Sequence, residues 1–330
     1  MPKLCNLYSP TAANIKLCAN LLRGGDVVGV PTETVYGLAG NALSHDCAHK
    51  IFNVKGRPLI DPLIVHFADT AAAKIHIVNN DAIDKLAAVF WPGPLTMVVG
   101  KRASIPDLIT AGLPSVAIRV PQHPVFRKLL QQVDFPLAAP SANPFGYVSP
   151  TLASHVQRTL GNKIKAILDG GPCNFGLEST IVDLRDPARP AILRHGPITQ
   201  EQLSQALDQL VADHSFTAGE NQAQSAPGQL SKHYSPNAQV QLLSAEEIKT
   251  TTPPDSHCAH IWLSKPCSQD ITPHIYWLSE SSALDEIAHN LFELIQRLDQ
   301  QGYSTLKIEF APNIGIGQAI NDRLRRAAAK

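Results

Sequence analysis

Short apolar runs alternate with amphipathic stretches through the first 212 residues, and that rhythm leaves few architectures open. Residues 27–30 read as a buried strand ended by Pro31, and 63–67, 95–99, 116–120, 137–139, 166–168, 180–184 and 192–194 read as further strands. Residues 11–23 place Ile15, Cys18, Leu21 and Leu22 on one helical face and stop at Gly24-Gly25. Ser44 is placed to cap a second helix running to about residue 54, with Gly56 as its stop. Further helices are expected at 81–90, 124–132, 152–160 and 200–211. Strands and helices taken in turn predict a layered α/β domain in which not every neighbouring strand pair is parallel.

Composition then changes. Residues 213–238 are rich in Gln, Ser, Ala, Gly and Asn, with Leu230 their only branched aliphatic, which is the composition of a linker. The stretch nonetheless contains Lys232-His233-Tyr234-Ser235-Pro236, too aromatic and too charged for a passive spacer. Strands are predicted at 240–243, 259–263, 275–278 and 306–310, and helices at 282–300 and 318–329. The expected division is an α/β domain over 1–212, a linker over 213–238 and a smaller α/β domain over 239–330.

The 28 basic residues equal the 28 acidic ones, which disfavours a protein that coats duplex nucleic acid but leaves room for one local basic pocket. With 44% hydrophobic and 17% charged residues, the chain folds rather than staying disordered. Its 26 prolines point to stiff loops. Six cysteines, Cys5, Cys18, Cys47, Cys173, Cys258 and Cys267, form no CxxC pair, so a reducing cytoplasm is expected. No signal peptide is expected at the N-terminus, and no run approaches the ~18 apolar residues of a membrane helix.

Four segments could carry chemistry. After the first buried strand, Pro31-Thr32-Glu33-Thr34-Val35-Tyr36-Gly37-Leu38 packs hydroxyls, a carboxylate and a phenol into a strand-to-loop junction. That suits either a small polar ligand at the carboxyl edge of a sheet or a turn whose threonines bond their own backbone. Lys55-Gly56-Arg57-Pro58 ends a helix, where paired cations serve either a polyphosphate or the helix dipole. His66 stands in an apolar strand, as a packed residue or a ligand contact. Arg119, the only charge in 115–121, is either paired in a pocket, with an amino-acid carboxylate an apt partner, or snorkels to an edge. Ser141 and Asn143 sit at alternate positions behind small residues that let a ligand approach the backbone.

The standard nucleotide motifs are missing. There is no phosphate loop ending in Gly-Lys-Ser/Thr, and Gly315-Ile316-Gly317 lacks the third glycine and the following βαβ unit of a dinucleotide site. His257, Cys258, His260 and Cys267 fit no common zinc spacing, so no protein-bound metal is expected. Nothing singles out a Ser–His–Asp triad.

Taken in order, residues 29–38, 55–67, Trp91-Pro92-Gly93-Pro94-Leu95-Thr96, 115–121, 139–143, Leu177-Glu178-Ser179-Thr180-Ile181-Val182-Asp183 and Ile192-Leu193-Arg194-His195-Gly196 resemble the YrdC-like family. The likeness is to its long, two-domain L-threonylcarbamoyladenylate synthases. The family's Lys-x-Arg and Ser-x-Asn pair appears as Lys55/Arg57 and Ser141/Asn143, and the resemblance continues through His233-Tyr234-Ser235-Pro236 and residues 315–324. It implies a YrdC-like twisted mixed sheet with helices, followed by a smaller Rossmann-like α/β domain. It implies synthesis of L-threonylcarbamoyl-AMP from L-threonine, bicarbonate or carbon dioxide, and ATP, with pyrophosphate released and Mg²⁺ accompanying ATP. A partner complex would then make threonylcarbamoyladenosine in tRNA, and a weak contact of this chain with tRNA is left open.

By the same resemblance, Thr32, Thr34, His66, Arg119, Ala139 and Ser179 hold threonine. Lys55, Arg57, Ser115, Ser141, Asn143, Ser149, Arg194 and Tyr234 hold ATP, with Lys55 and Arg57 also neutralising charge during transfer. Asp61, where many relatives carry Asn, is expected at the ATP edge, repulsive to phosphate unless it meets Mg²⁺ or the adenine amino group. The linker with Tyr234 is expected to act as a lid. Lys55, Arg57, Arg119 and Arg194 are expected to converge on one pocket, with the balancing acids elsewhere. A rival reading is an RNA-binding module acting on tRNA or the ribosome without ATP chemistry. A carbamoyl-transfer module of hydrogenase maturation is disfavoured, since its zinc-finger cysteines are missing.

Overall fold

The computed structural model describes residues 6–215, 224–228, 233–267 and 271–329, so Leu230 and Lys232 of the linker lie outside the described residues. The first part of the chain runs β1 (Asn6–Tyr8), α1 (Ala12–Arg23), β2 (Val28–Val30), β3 (Gly37–Asn41), α2 (His45–Lys55), β4 (Ile64–His66), α3 (Thr70–Lys74), α4 (Asp81–Phe90) and β5 (Leu95–Gly100). It continues with β6 (Ser115–Arg119), α5 (Pro124–Leu130), β7 (Leu137–Ala138), α6 (Ala153–Leu160), β8 (Ala166–Leu168), β9 (Thr180–Asp183), β10 (Ala191–Arg194), α7 (Gln200–Leu207) and β11 (Ala212–Asp213).

These strands form one mixed sheet in the order β1-β8-β2-β3-β7-β4-β6-β5-β9-β10-β11. Local chemistry sets the helix limits. Thr11 and Ser44 accept the N–H groups of Asn14 and Cys47, and Gly56 ends α2 in the left-handed region at φ +64°. Helix α7 stops at Leu207, short of the expected 211, because Asp208 turns left-handed there. Strand β3, which the sequence pattern does not show, begins in the last two residues of the 31–38 segment and runs on to Asn41. It pairs antiparallel with β2 and β7, and its Gly40 lets Ile51 of α2 pack where a Cβ would crowd it.

One face of the sheet is covered by α2, α4 and α7 through Ile51, Phe52, Ile83, Leu86, Leu203 and Leu207. On the other face α1 and α5 cover β2, β3, β7 and β8, with fully buried Phe126 alone contributing about 1.5–3 kcal/mol. The rest of that face, Ile64, Val98, Ala117, Ile181 and Leu193, forms a small buried apolar cluster that takes in Ala226 of the linker.

The second part runs β12 (Gln239–Leu243), α8 (Glu247–Thr250), β13 (Cys258–Ser264), β14 (Ile275–Ser279), α9 (Leu284–Gln300), β15 (Thr305–Glu309) and α10 (Gly317–Ala328). Its strands are parallel throughout, in the order β12-β15-β13-β14, the smaller Rossmann-like layer that was expected. Ile287, Leu291, Leu294, Ile295 and Leu298 recur at helical spacing on α9 and build its core, which also takes in Val148, Leu177 and Tyr234 from outside the domain. Tyr147 donates to Asp299 (2.7 Å), and the Gln296 amide donates to the Ser149 carbonyl (2.8 Å). At Gly176 (φ +73°) the α9 carbonyls of Ala288 and His289 pass so close that a Cβ would overlap them. Among the described residues, no helix is long and apolar enough to cross a membrane.

Candidate active site

Through Ile64, this part of the sheet borders a pocket. Ile64 and His66 alternate along β4 and face the same way, and Arg119 lies beside His66 in the β4–β6 register. Pro227, Gly228, His233 and Tyr234 form a facing wall. The pocket therefore lies on a sheet face, whereas the expectation placed a ligand at a carboxyl edge. That rule belongs to parallel sheets, and here β7 runs against β3 and β4, and β5 against β6.

In the 31–38 segment Thr32 closes the turn on its own backbone, and Thr34 turns to Arg119. Thr32 Oγ1 accepts the N–H groups of Thr34 and Val35 (3.1 Å each) and donates to the Val35 carbonyl (2.6 Å), closing a turn on itself. Thr34 Oγ1 accepts a hydrogen bond from Arg119 Nη1 (3.0 Å). Arg119 also donates to the Gly93 carbonyl and pairs with Glu33 at 2.7 Å. Three of the five N–H groups of a guanidinium are thus committed among the described residues, which leaves two without a partner there. Burial opposes the charge on Glu33, but Arg119 and the Gln122 N–H hold its carboxyl below the usual range. His66 is pulled down to about 3 by burial and by Arg119, so it is neutral.

Arg57 faces the cavity from the loop after α2. It donates to the carbonyls of Asp61 (2.9 Å) and Pro62 (2.8 Å) and pairs with the Asp61 carboxylate at 2.8 Å. Asp61 is also 3.7 Å from His233 Nε2. Burial alone would raise the Asp61 pKa, and Arg57 followed by His233 outweighs it, so Asp61 stays charged. Lys55, at the end of α2, donates to the carbonyls of Ser141 (2.5 Å) and Asn143 (2.6 Å). Burial, then Arg57, drives its pKa well below the usual lysine value. The Lys-x-Arg and Ser-x-Asn segments are therefore physically tied, side chain to backbone.

On the other side, Arg194 donates to the carbonyl (3.1 Å) and hydroxyl (3.1 Å) of Ser179 and to the Pro227 carbonyl (3.3 Å). The Ser179 hydroxyl also bonds Thr96 (2.8 Å). Glu178 borders the cavity and accepts hydrogen bonds from Ser149 and from Arg323 of α10. Tyr234, left-handed at φ +63° and buried, stacks on Phe292 of α9 with its ring centroid 5.6 Å away.

Thr32, Thr34, Arg57, His66, Arg119, Ala139, Ser141, Ser179, Arg194 and Tyr234 come together on this one cavity. Lys55, Asp61, Asn143 and Ser149 stand behind it through the contacts above or, for Asn143, through its bonds to the Pro144 and Tyr147 carbonyls. Ser115 is buried at the opposite end of β6 from Arg119, roughly 13 Å along the strand.

The expectation that the balancing acids lie elsewhere is wrong. Glu33, Asp61 and Glu178 sit among the arginines, because a buried guanidinium needs a counter-charge at hydrogen-bond range. Glu33, Glu178 and His233 are the residues that the sequence reading missed. Each adjoins a predicted position, and a charge placed next to a buried cation was the available signal. Glu178 in the pocket lining and Glu33 and Asp61 behind it each pair with an arginine, so the donor set does not fit a protein-held Mg²⁺, and no group of three metal-ligating side chains occurs among the described residues.

These features define a two-domain α/β protein with an arginine-rich pocket on the face of a mixed sheet. A family model described as "Telomere recombination" matches residues 20–196, and one for the threonylcarbamoyl-AMP synthase C-terminal domain matches residues 198–329. A threonylcarbamoyl-AMP synthase of Pyrococcus abyssi is 34% identical over 95% of this chain and 94% of its own, and one of Bacillus subtilis is 34% identical over 95% and 92%. The crystal structure of P. abyssi Sua5 complexed with L-threonine superposes with a TM-score of 0.86 at 32% identity, covering 96% of this chain and 94% of that one. The chain belongs to the threonylcarbamoyl-AMP synthase family, enzymes of the nucleotidyltransferase type. The rival RNA-binding reading has no support in these relatives.

Proposed function

We propose that this protein joins L-threonine, bicarbonate or carbon dioxide, and ATP, delivered as its magnesium salt, into L-threonylcarbamoyl-AMP and pyrophosphate. The setting is the cytoplasm, and the product supplies a partner complex that forms threonylcarbamoyladenosine in tRNA. The observation that carries the reading is Arg119, held with two N–H groups to spare beside neutral His66 and facing Arg57 and Arg194 across one cavity.

Threonine's carboxylate takes the spare Arg119 donors, and its side chain and amine meet Thr34, His66 and Ser179. The neutral amine adds to the carbon of carbon dioxide, giving a carbamate and releasing one proton. A carbamate oxygen then bonds the α-phosphorus as the bond to the pyrophosphate oxygen breaks. No protein nucleophile is needed, so the work is alignment and charge neutralisation. Arg57 and Arg194 suit the second task. Lys55 fixes the Ser141–Asn143 backbone against which the nucleotide lies. Tyr234 and Gly228 keep water from the mixed anhydride.

The deciding assay is pyrophosphate release. It should require threonine and bicarbonate together, and release that ignores either one would overturn the reading.

A further inference from the structure

Arg323 of α10 is fully buried, yet most of what it touches belongs to the rest of the chain. Its Nε donates to Glu178 (2.8 Å), its Nη2 to the His195 carbonyl (2.9 Å) and its Nη1 to Asp322 (2.6 Å). The guanidinium carbon lies 5.3 Å from the centroid of the Tyr234 ring. Asp322 in turn pairs with Arg326 at 2.9 Å. Three arginines, 194, 323 and 326, therefore stand against two carboxylates, Glu178 and Asp322. Burial opposes the charge on Glu178, but Arg323 and Arg194 hold its carboxyl below the usual range.

A charged carboxylate in the wall of a cavity that admits a triphosphate opposes binding unless a cation offsets it. Glu33 and Asp61 are offset from within the first domain, by Arg119 and Arg57. Glu178 receives its direct ion pair from the second domain.

We propose that Arg323 is a positioning residue for the nucleotide: it offsets and orients Glu178 and seats the Tyr234 ring, so the C-terminal domain supplies charge to the ATP site. This rests on the adenylate-forming reading.

The test measures KM for ATP and for threonine in pyrophosphate release by the full-length chain. Arg323→Met should raise the ATP KM about 10-fold or more while the threonine KM changes much less. Adding Glu178→Gln to that variant should recover most of the loss, because the uncompensated charge is gone. Glu178→Gln alone should raise the ATP KM less than Arg323→Met does, and Arg323→Lys should lie between wild type and Arg323→Met. A double variant no better than Arg323→Met, or Glu178→Gln alone as damaging as Arg323→Met, overturns the proposal. Should Arg323→Met fail to fold, Glu178→Gln and Arg323→Lys still decide. Wild type that releases no pyrophosphate with threonine and bicarbonate would instead sink the adenylate reading.

Discussion

The four-stranded sheet runs parallel throughout and buries mostly aliphatic side chains against α9 and α10, whereas the larger sheet reverses direction repeatedly and buries Arg57, His66, Arg119 and Arg194 around a pocket on one face. Buried ions cost desolvation that their pairing roughly offsets, so they add little net stability. They do make the region intolerant of losing one partner. The contrast separates a part of the molecule built to hold together from a part built to hold something. Helix α10 belongs to both, since its Arg323 joins the ionic cluster of the other domain.

Four measurements can break or sharpen this contrast. The largest effect is expected for Arg119→Ala, which strands the Glu33 carboxylate in the interior. Urea denaturation should show a loss of about 3–5 kcal/mol. A loss below 1 kcal/mol would mean that water already reaches Glu33.

Lys55→Ala should leave the fold in place but reduce adenylate formation about 100-fold, because two carbonyls that shape the nucleotide wall lose their donor. Near-normal pyrophosphate release would remove Lys55 from the site.

The third concerns acid. His66 titrates near 6.5 when unfolded and at about 3 when folded, so its contribution is complete above pH 6.5 and is lost as pH falls toward 3. In that window the unfolded chain takes up a proton that the folded one refuses, which lowers stability by ~1.4 kcal/mol per pH unit. His66→Gln should flatten the dependence of the urea midpoint between pH 7 and pH 5, and parallel curves for the two proteins would refute the assignment. Fourth and smallest, Glu280→Gln removes an exposed ion pair with Lys265 in the second domain. Its melting temperature should match that of wild type.

How much of this was legible in the sequence also divides along the two regions. In the second domain, apolar runs flanked by polar turns placed all four strands within a residue or two, because burial there is simple aliphatic packing. In the first, β3 escaped notice because Gly37 and Gly40 carry no pattern, and their value lies in what packs on them. The site residues were found as short segments joined by resemblance. Their arrangement on a sheet face depends on strand order, which no local window contains. Glu33 was quoted as part of its segment yet given no role, since only the tertiary fold, which brings the loop after β2 to the end of β6, reveals Arg119 as a partner.

Gly176 has a consequence for how the two domains could have come to fit. Its left-handed backbone lies directly under the carbonyls of Ala288 and His289, with no room for a β-carbon. The joint is machined to a tolerance finer than one methyl group. Because Leu177 and Glu178 follow at once, any wedge driven in at Gly176 is transmitted within two residues to the cavity wall. The seam between the domains and the site are, mechanically, a single part.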